Sequence, residues 1–289
     1  MKVGLVLEGG SMRGMYTAGV LDVMMENGIE VDGAIGVSAG ALFGCNYKSR
    51  QIGRAIRYNM QYCNDPRYVG MKNLLLTGDL YGAHFCYDVL PKTLDVFDAE
   101  TFRNNPMEFY VVCTNVVTGQ AVYRKCEKGF EDLQWFRASG SMPMVSRIVH
   151  VDGYQLLDGG IADSIPAKHF AEELGYKRSI VILTQPEGFV KEKNSLLPIL
   201  KLWLLKHPNT YEALATRHDR YNEALRYVAE KEASGEFLVI RPSRKLEVGA
   251  VEHDPQKLKA VYELGRADAE KQLKSIQEFI AASKEIVSL

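Results

Sequence analysis

The sequence predicts an α/β protein built on parallel strands, and three stretches carry that prediction. Residues 2–7 (KVGLVL) and 31–37 (VDGAIGV) are short apolar, β-branched runs, and the segment between them has apolar residues at helical spacing. Much later, SIVILTQP (179–186) is a buried-strand pattern ended by proline.

The first run stops at EGGSMRG (8–14). Apolar residues at Met15, Ala18, Leu21 or Val20, and Met24 or Met25 then mark one helix face, and Asn27-Gly28 is a C-cap signal. After the second strand, Ala39 onward reads as a helix. A strand–helix–strand unit of this length predicts parallel strands joined right-handedly. Both post-strand loops then emerge at the carboxyl edge of the sheet, where ligands bind in such folds. NYKSRQIGRAIRYNMQYC (46–63) predicts a further helix, whereas residues 66–90 mix turn and apolar signals and assign no element. EFYVVCTNVVTGQAVYRK (108–125) predicts a hairpin around Thr118-Gly119, and LQWFRASGS a helix end. VHVDGYQLLDGG (149–160) predicts a second hairpin with Asp152-Gly153 at its tip. Beyond residue 186 the sequence turns charged and helical. Its last helix starts at Asp254-Pro255, a good N-cap and first-turn pair, and carries Leu258, Val261, Leu273, Ile276 and Ile280 on one face. No internal repeat interrupts this order. It predicts a core over residues 1–186 and a mostly helical extension, packed on the core, over 187–289.

Composition narrows the class. A chain of 289 residues with 46% hydrophobic and 25% charged content is that of a soluble globular protein. Net charge is −1, so no global basic field points to nucleic acid or an anionic membrane. MKVGLVLEGG lacks the long apolar run and cleavage site of a signal peptide. No apolar stretch reaches the ~18 residues of a membrane span; the longest, LLPILKLWLL (196–205), is broken by Pro198 and Lys201. Five cysteines, Cys45, Cys63, Cys86, Cys113 and Cys126, without a C-x-x-C pair predict free thiols in a reducing compartment, the cytoplasm by default. No His/Cys/Asp/Glu cluster has ligand spacing, so neither a metal nor a cofactor is expected.

AIGVSAGALFG (34–44) contains G-x-S-x-G, with Gly36, Ser38 and Gly40, at the point where a strand turns into a helix. That is the pattern of a nucleophile elbow, in which the glycines let the backbone double back and the hydroxyl stands exposed. A nucleophilic serine needs a base, and it needs donors for the oxyanion formed on attack at an acyl carbonyl. The loop Gly9-Gly10-Ser11-Met12-Arg13-Gly14 offers donors, because a glycine loop opening a helix aims backbone N–H groups at one point. A dinucleotide loop is the alternative. Against it, Ser11 fills the middle-glycine position, and Asp32 begins the following strand instead of ending it. Asp158 follows an apolar run and precedes Gly159 and Gly160, which puts a carboxylate at a strand end with open backbone beside it.

Taken together, E/D-G-G-x-x-R/K-G on the first strand, G-x-S-x-G on the second and D-G-G later resemble the patatin-like phospholipase family. CTNVVTGQ, and ASGSMPMV with VDGYQLLDGGIADSIP, are similar as well, so the resemblance covers roughly residues 3–186. It implies a three-layer α/β/α fold with a mainly parallel sheet and a Ser-Asp dyad that hydrolyses lipid esters of the phospholipase A or lysophospholipase type through an acyl-enzyme. By position, Ser38 resembles the nucleophile, Asp158 the proton acceptor, and Gly9, Gly10, Ser11, Met12 and Arg13 the oxyanion loop. Ser11 stands where the family usually has a third glycine; its N–H remains available, while its Cβ restricts positive φ. Arg13 stabilises the loop, meets a phosphate head group or is a surface charge. A Ser-Asp-His hydrolase would need His169, His207, His218 or His253, and neither these nor His84 and His150 lie in a motif. The competing functions are a small-ester or thioester hydrolase with the same dyad, and an idle lipid-binding protein. The expected partner is a lipid or acyl-ester substrate, with peripheral contact at the inner face of the membrane. That contact would fall to SLLPILKLWLLKHP (195–208), whose apolar residues go nearly all round a helix; its alternative is a buried core helix.

Overall fold

A computed structural model describes residues 1–285. Strand β1 (Val3–Leu7) lies parallel to β2 (Gly33–Val37), and α1 (Gly14–Glu26) joins them. The helix ends at Asn27 with Gly28 at φ 64°, a conformation that costs glycine nothing. Every residue of both strands is buried, which is why they read as continuous apolar runs instead of alternating ones.

Helix α2 (Ala39–Lys48) follows β2 directly, then α3 (Arg54–Tyr62). The single helix expected over 46–63 is therefore two. Arg50 at φ 55° and Gly53 at φ 73° break it, and left-handed residues cannot continue a right-handed helix. The unassigned stretch 66–90 holds α4 (Met71–Thr77) and the start of a π-helical segment, Phe85–Leu94, that contains Pro91. A proline and a wide helical turn within one segment obscure the usual apolar period. Next come α5 (Ala99–Asn104), the hairpin β3 (Glu108–Asn115) and β4 (Ala121–Lys125), and α6 (Leu133–Ser139). The second hairpin is β5 (Val149–Val151) and β6 (Tyr154–Asp158), with Asp152 and Gly153 both at positive φ, as the turn matching strand twist requires. Helix α7 (Ala167–Glu172) leads to β7 (Arg178–Ile182).

The remainder is α8 (Leu197–Trp203), α9 (Pro208–Ala215), α10 (Arg217–Ala233), β8 (Phe237–Ile240) and α11 (Pro255–Glu285). Strand β8 was not foreseen. Four residues inside a charged stretch give little period, yet they pair in parallel with β7 from Ser179↔Phe237 to Ile182↔Ile240.

The sheet runs β5-β6-β3-β2-β1-β7-β8, with β4 on β3; β3, β2, β1, β7 and β8 are parallel, and the two hairpins add antiparallel pairs. Side chains alternate between two cores. Leu5, Leu7, Ile180 and Ile182 join residues of α1, α2 and α11, whereas Val6, Ile35, Val37 and Val181 join residues of α7 and α10. Helices thus cover both faces, giving a three-layer α/β/α architecture. All five cysteines are unpaired. Among the described residues no helix is long and apolar enough to cross a membrane.

Candidate active site

Strand β3 brings Ser38 and Asp158 together. One edge of β3 is taken by β4, from Tyr110↔Lys125 to Thr114↔Ala121. The other edge is shared by two strands in succession. β2 pairs as far as Val37↔Val112, and β6, running the opposite way, takes over at Asp158↔Cys113. The two strands meet carboxyl end to carboxyl end along one edge. Ser38 is the residue after the last pair of β2, and Asp158 is the last residue of β6.

Ser38 sits at φ 53°, ψ −123°. Such a backbone is costly for a residue with a Cβ, about 1–3 kcal/mol, and persists only where surroundings impose it. Here they do. The Ser38 N–H donates to Ser139 Oγ at 2.8 Å, and that hydroxyl donates to the Val112 carbonyl at 2.6 Å. A Cβ on Gly36 would lie 2.7 Å from the Ala41 backbone, and one on Gly40 would collide with the Leu7 carbonyl. The glycines of G-x-S-x-G are therefore sites of close approach, which press the start of α2 onto the end of β1.

Asp158 is buried, and its Oδ1 accepts from the Gly160 N–H at 2.7 Å. Burial pushes its carboxyl above the ordinary carboxylate range; the Ser38 hydroxyl, the Arg217 charge and the Gly160 N–H oppose that rise. The Ser38 hydroxyl is near enough to the carboxylate to favour its charged form. Gly159 lies against the Val112 carbonyl with no room for a side chain. The position a Cβ would take on Gly160 is 3.0 Å from Asp158 Oδ1 and 3.1 Å from Arg217 Nη2, so the carboxylate and the guanidinium close over this glycine.

The glycine loop completes the site. A Cβ on Gly9 would lie 3.2 Å from Ser38 Cβ, and one on Gly14 would lie 2.7 Å from Ala39 Cβ. The Gly9 N–H donates to Ser164 O at 3.4 Å and the Arg13 N–H to Gly10 O at 3.1 Å. Among the described residues the N–H groups of Gly10, Ser11 and Met12 have no partner, and they lie in a loop against Ser38. Ser11 takes φ 49° despite its Cβ. Behind the loop, the fully buried Glu8 accepts from Thr184 N and from the Tyr221 hydroxyl, each at 2.6 Å.

A cavity of about 170 Å³ opens at Ser38 and runs among Met12, Leu42, Tyr58, Phe97 and Met142. No histidine lines it. His169 stacks on Tyr123 with ring centroids 3.5 Å apart, and His253 Nδ1 lies 2.6 Å from the Cys63 carbonyl. Sequence reasoning missed Ser139, Tyr221 and Arg217. Each acts through one side chain from another part of the chain, so no spacing could reveal it.

Among curated proteins, the chain is 29% identical over 191 residues to the uncharacterized protein YjjU of Escherichia coli, covering 64% of this chain and 52% of that protein. It is 30% identical over 215 residues to lysophospholipase nte1 of Emericella nidulans, covering 70% of this chain and 13% of that much longer protein. The chain thus spans about half of the first relative and a small part of the second. Among solved structures, VipD from Legionella pneumophila is similar with a TM-score of 0.46 and 14% identity, over 95% of this chain and 67% of that one. A family model for a domain of unknown function (DUF6363) matches residues 207–281. A model of the patatin-like phospholipases matches residues 5–171, more than half of the sequence and the part that holds both motif glycine loops, and the chain belongs to that family.

Proposed function

We propose that this protein is a carboxylic ester hydrolase acting on lipid esters, with Ser38 as nucleophile and Asp158 as its base. The observation that carries the proposal is the end-to-end meeting of β2 and β6 on β3, which sets the serine and the carboxylate side by side in a glycine-lined recess. In the reaction, Asp158 takes the proton as Ser38 Oγ attacks the acyl carbonyl. The N–H groups of Gly10, Ser11 and Met12 receive the oxyanion, and the alcohol leaves with the proton. Water then hydrolyses the acyl-enzyme, with Asp158 again as base. The apolar cavity at Ser38 supports a fatty acyl group as the part of the substrate held there.

Residues 1–186 would form the catalytic core, and 187–289 an extension that covers it and supplies Arg217. Helix α8 supports peripheral membrane contact. Leu197, Leu200 and Leu204 are buried against the core, while Leu196, Ile199, Leu202 and Leu205 are exposed. The helix is thus anchored on one face and, apart from the exposed Lys201, apolar on the other, a surface that suits the boundary of a bilayer.

A hydrolysis panel of phospholipids, lysophospholipids, triacylglycerols and p-nitrophenyl esters tests the proposal. Cleavage of long-chain lipid esters is expected. Cleavage of short esters or thioesters alone would favour the small-substrate alternative, and no cleavage together with no labelling by a fluorophosphonate would favour an idle binding protein.

A further inference from the structure

We propose that Arg217 and Lys191, with Arg13 beside them, form an anion-binding subsite next to Ser38 that takes a phosphate on the polar end of the substrate. The inference rests on the ester-hydrolase reading and specifies its substrate class.

The three cations are held by different elements. Arg217 opens α10, and its Nε donates to Ser164 Oγ at 3.3 Å. One turn later Tyr221 bonds Glu8, and Lys191 Nζ lies 4.9 Å from the Tyr221 ring centroid. The Lys191 backbone is pinned by Asn222, which accepts from its N–H at 2.8 Å and donates to its carbonyl at 3.0 Å. Arg13 lies over Gly10, and its Nε is buried without a partner.

Among the described residues none of the three forms an ion pair. Arginines elsewhere do, as Arg57 does with Asp95 and Arg266 with Glu26, each at 2.8 Å. The nearest carboxylates are engaged by other donors: both oxygens of Glu8 are occupied by Thr184 and Tyr221, and Asp158 Oδ1 accepts from the Gly160 N–H. The cations also act on one another: burial, then the charges of Arg217 and Arg13, push Lys191 down to about 8, against the pull of Glu8. All three side chains are half-buried. Two guanidinium forks and an ammonium match the acceptor oxygens of a phosphate better than a single carboxylate.

Position gives the group its role. The cavity at Ser38 draws its aromatic lining from the core on the α1 and α2 face, whereas Tyr221 belongs to the core on the α7 and α10 face. An ester at Ser38 can then place its acyl chain in the cavity and a phosphate-bearing alcohol on the cations. Carboxylates on the leaving group, or a free phosphate, share part of this chemistry, so the test must separate them.

The test compares kcat/KM for a 1-acylglycerol 3-phosphate with that for the monoacylglycerol bearing the same chain, in full-length protein. The wild type should prefer the phosphate substrate. Lys191→Gln and Arg217→Gln should each cut that preference about tenfold or more, mainly through KM, and Arg217→Lys should keep most of it. A preference unchanged in both glutamine variants overturns the proposal, as does an equal fall on both substrates, which would leave Arg217 only supporting Asp158. If Arg217→Gln fails to fold, Lys191→Gln carries the comparison. Calorimetric titration of Ser38→Ala with glycerol 3-phosphate and with inorganic phosphate separates the sources: tighter binding of glycerol 3-phosphate, weakened by Lys191→Gln, is expected. Equal binding of both, untouched by Lys191→Gln, overturns the head-group assignment. Should the wild type cleave neither ester, the hydrolase reading falls, while the titration still decides the subsite.

Discussion

Up to Ile182, the groups at the site are held by backbone. Ser38 and Asp158 sit at strand ends, and the loop from Gly9 to Arg13 presents main-chain amides. Beyond Ile182 they are side chains carried in from a loop and a helix, Lys191, Arg217 and Tyr221. The two regions divide the labour. The first sets the positions of Ser38 and Asp158 by close approaches that only glycine permits. The second adds side chains around them, with Arg217 closing over Gly160.

This contrast predicts a steep gradient of mutational effects. At the top stands Ser38→Ala, which should lower kcat/KM by on the order of 10⁴ to 10⁶ with thermal stability unchanged. Retention of more than a tenth of wild-type activity would break the comparison at its root. Asp158→Asn keeps the shape and removes the base, so it should fall within about tenfold of the Ser38→Ala loss on the same assay.

Glycines sharpen the point in stability instead of rate. Gly40→Ala forces a Cβ against the Leu7 carbonyl and should cost about 3 kcal/mol in chemical denaturation. Gly28 has positive φ but nothing within 4 Å, so Gly28→Ala should cost only about 1 kcal/mol. Equal costs would mean that close packing of the elbow is not what fixes it.

In the second region the effects are smaller. As the proposed base, Asp158 would have to be ionised, so activity is expected above its pKa and should be lost as pH falls through it. Because burial raises that pKa, the acid limb of kcat/KM should lie above the ordinary carboxylate value of about 4. Arg217→Gln removes a charge that favours the carboxylate and should move the limb to higher pH. A limb that stays in place would remove Arg217 from the electrostatics of the dyad. Smallest of all, Leu202→Ser with Leu205→Ser should change stability by less than about 0.5 kcal/mol, since both side chains are 70% exposed, yet reduce vesicle binding. The buried Leu204→Ser should instead destabilise by about 2–4 kcal/mol.

The same division explains what could be read from the residues alone. β1, α1, β2 and both hairpins were legible because buried parallel strands, caps and positive-φ turns leave local marks such as Asn27-Gly28 and Asp152-Gly153. The positions of Ser38 and Asp158 were legible because glycines must flank them. The split between α2 and α3 was not, since a left-handed Arg50 gives no signal of its own. Strand β8 was not, because its partner β7 lies more than fifty residues away and only tertiary pairing defines it. Arg217 was equally hidden. A lone arginine at the start of a charged helix looks like a solvated surface residue until Gly160 is seen beneath it.

The central claim is that Asp158 alone, without a histidine, makes Ser38 nucleophilic. Fluorophosphonate labelling followed by peptide mass spectrometry tests it most directly, run on the wild type, on Asp158→Asn and on the six single His→Gln variants. The account predicts labelling at Ser38 in the wild type, near-complete loss in Asp158→Asn, and rates within about threefold of wild type in all six histidine variants. Full labelling in Asp158→Asn, or loss in the His169, His207, His218 or His253 variant, would contradict it.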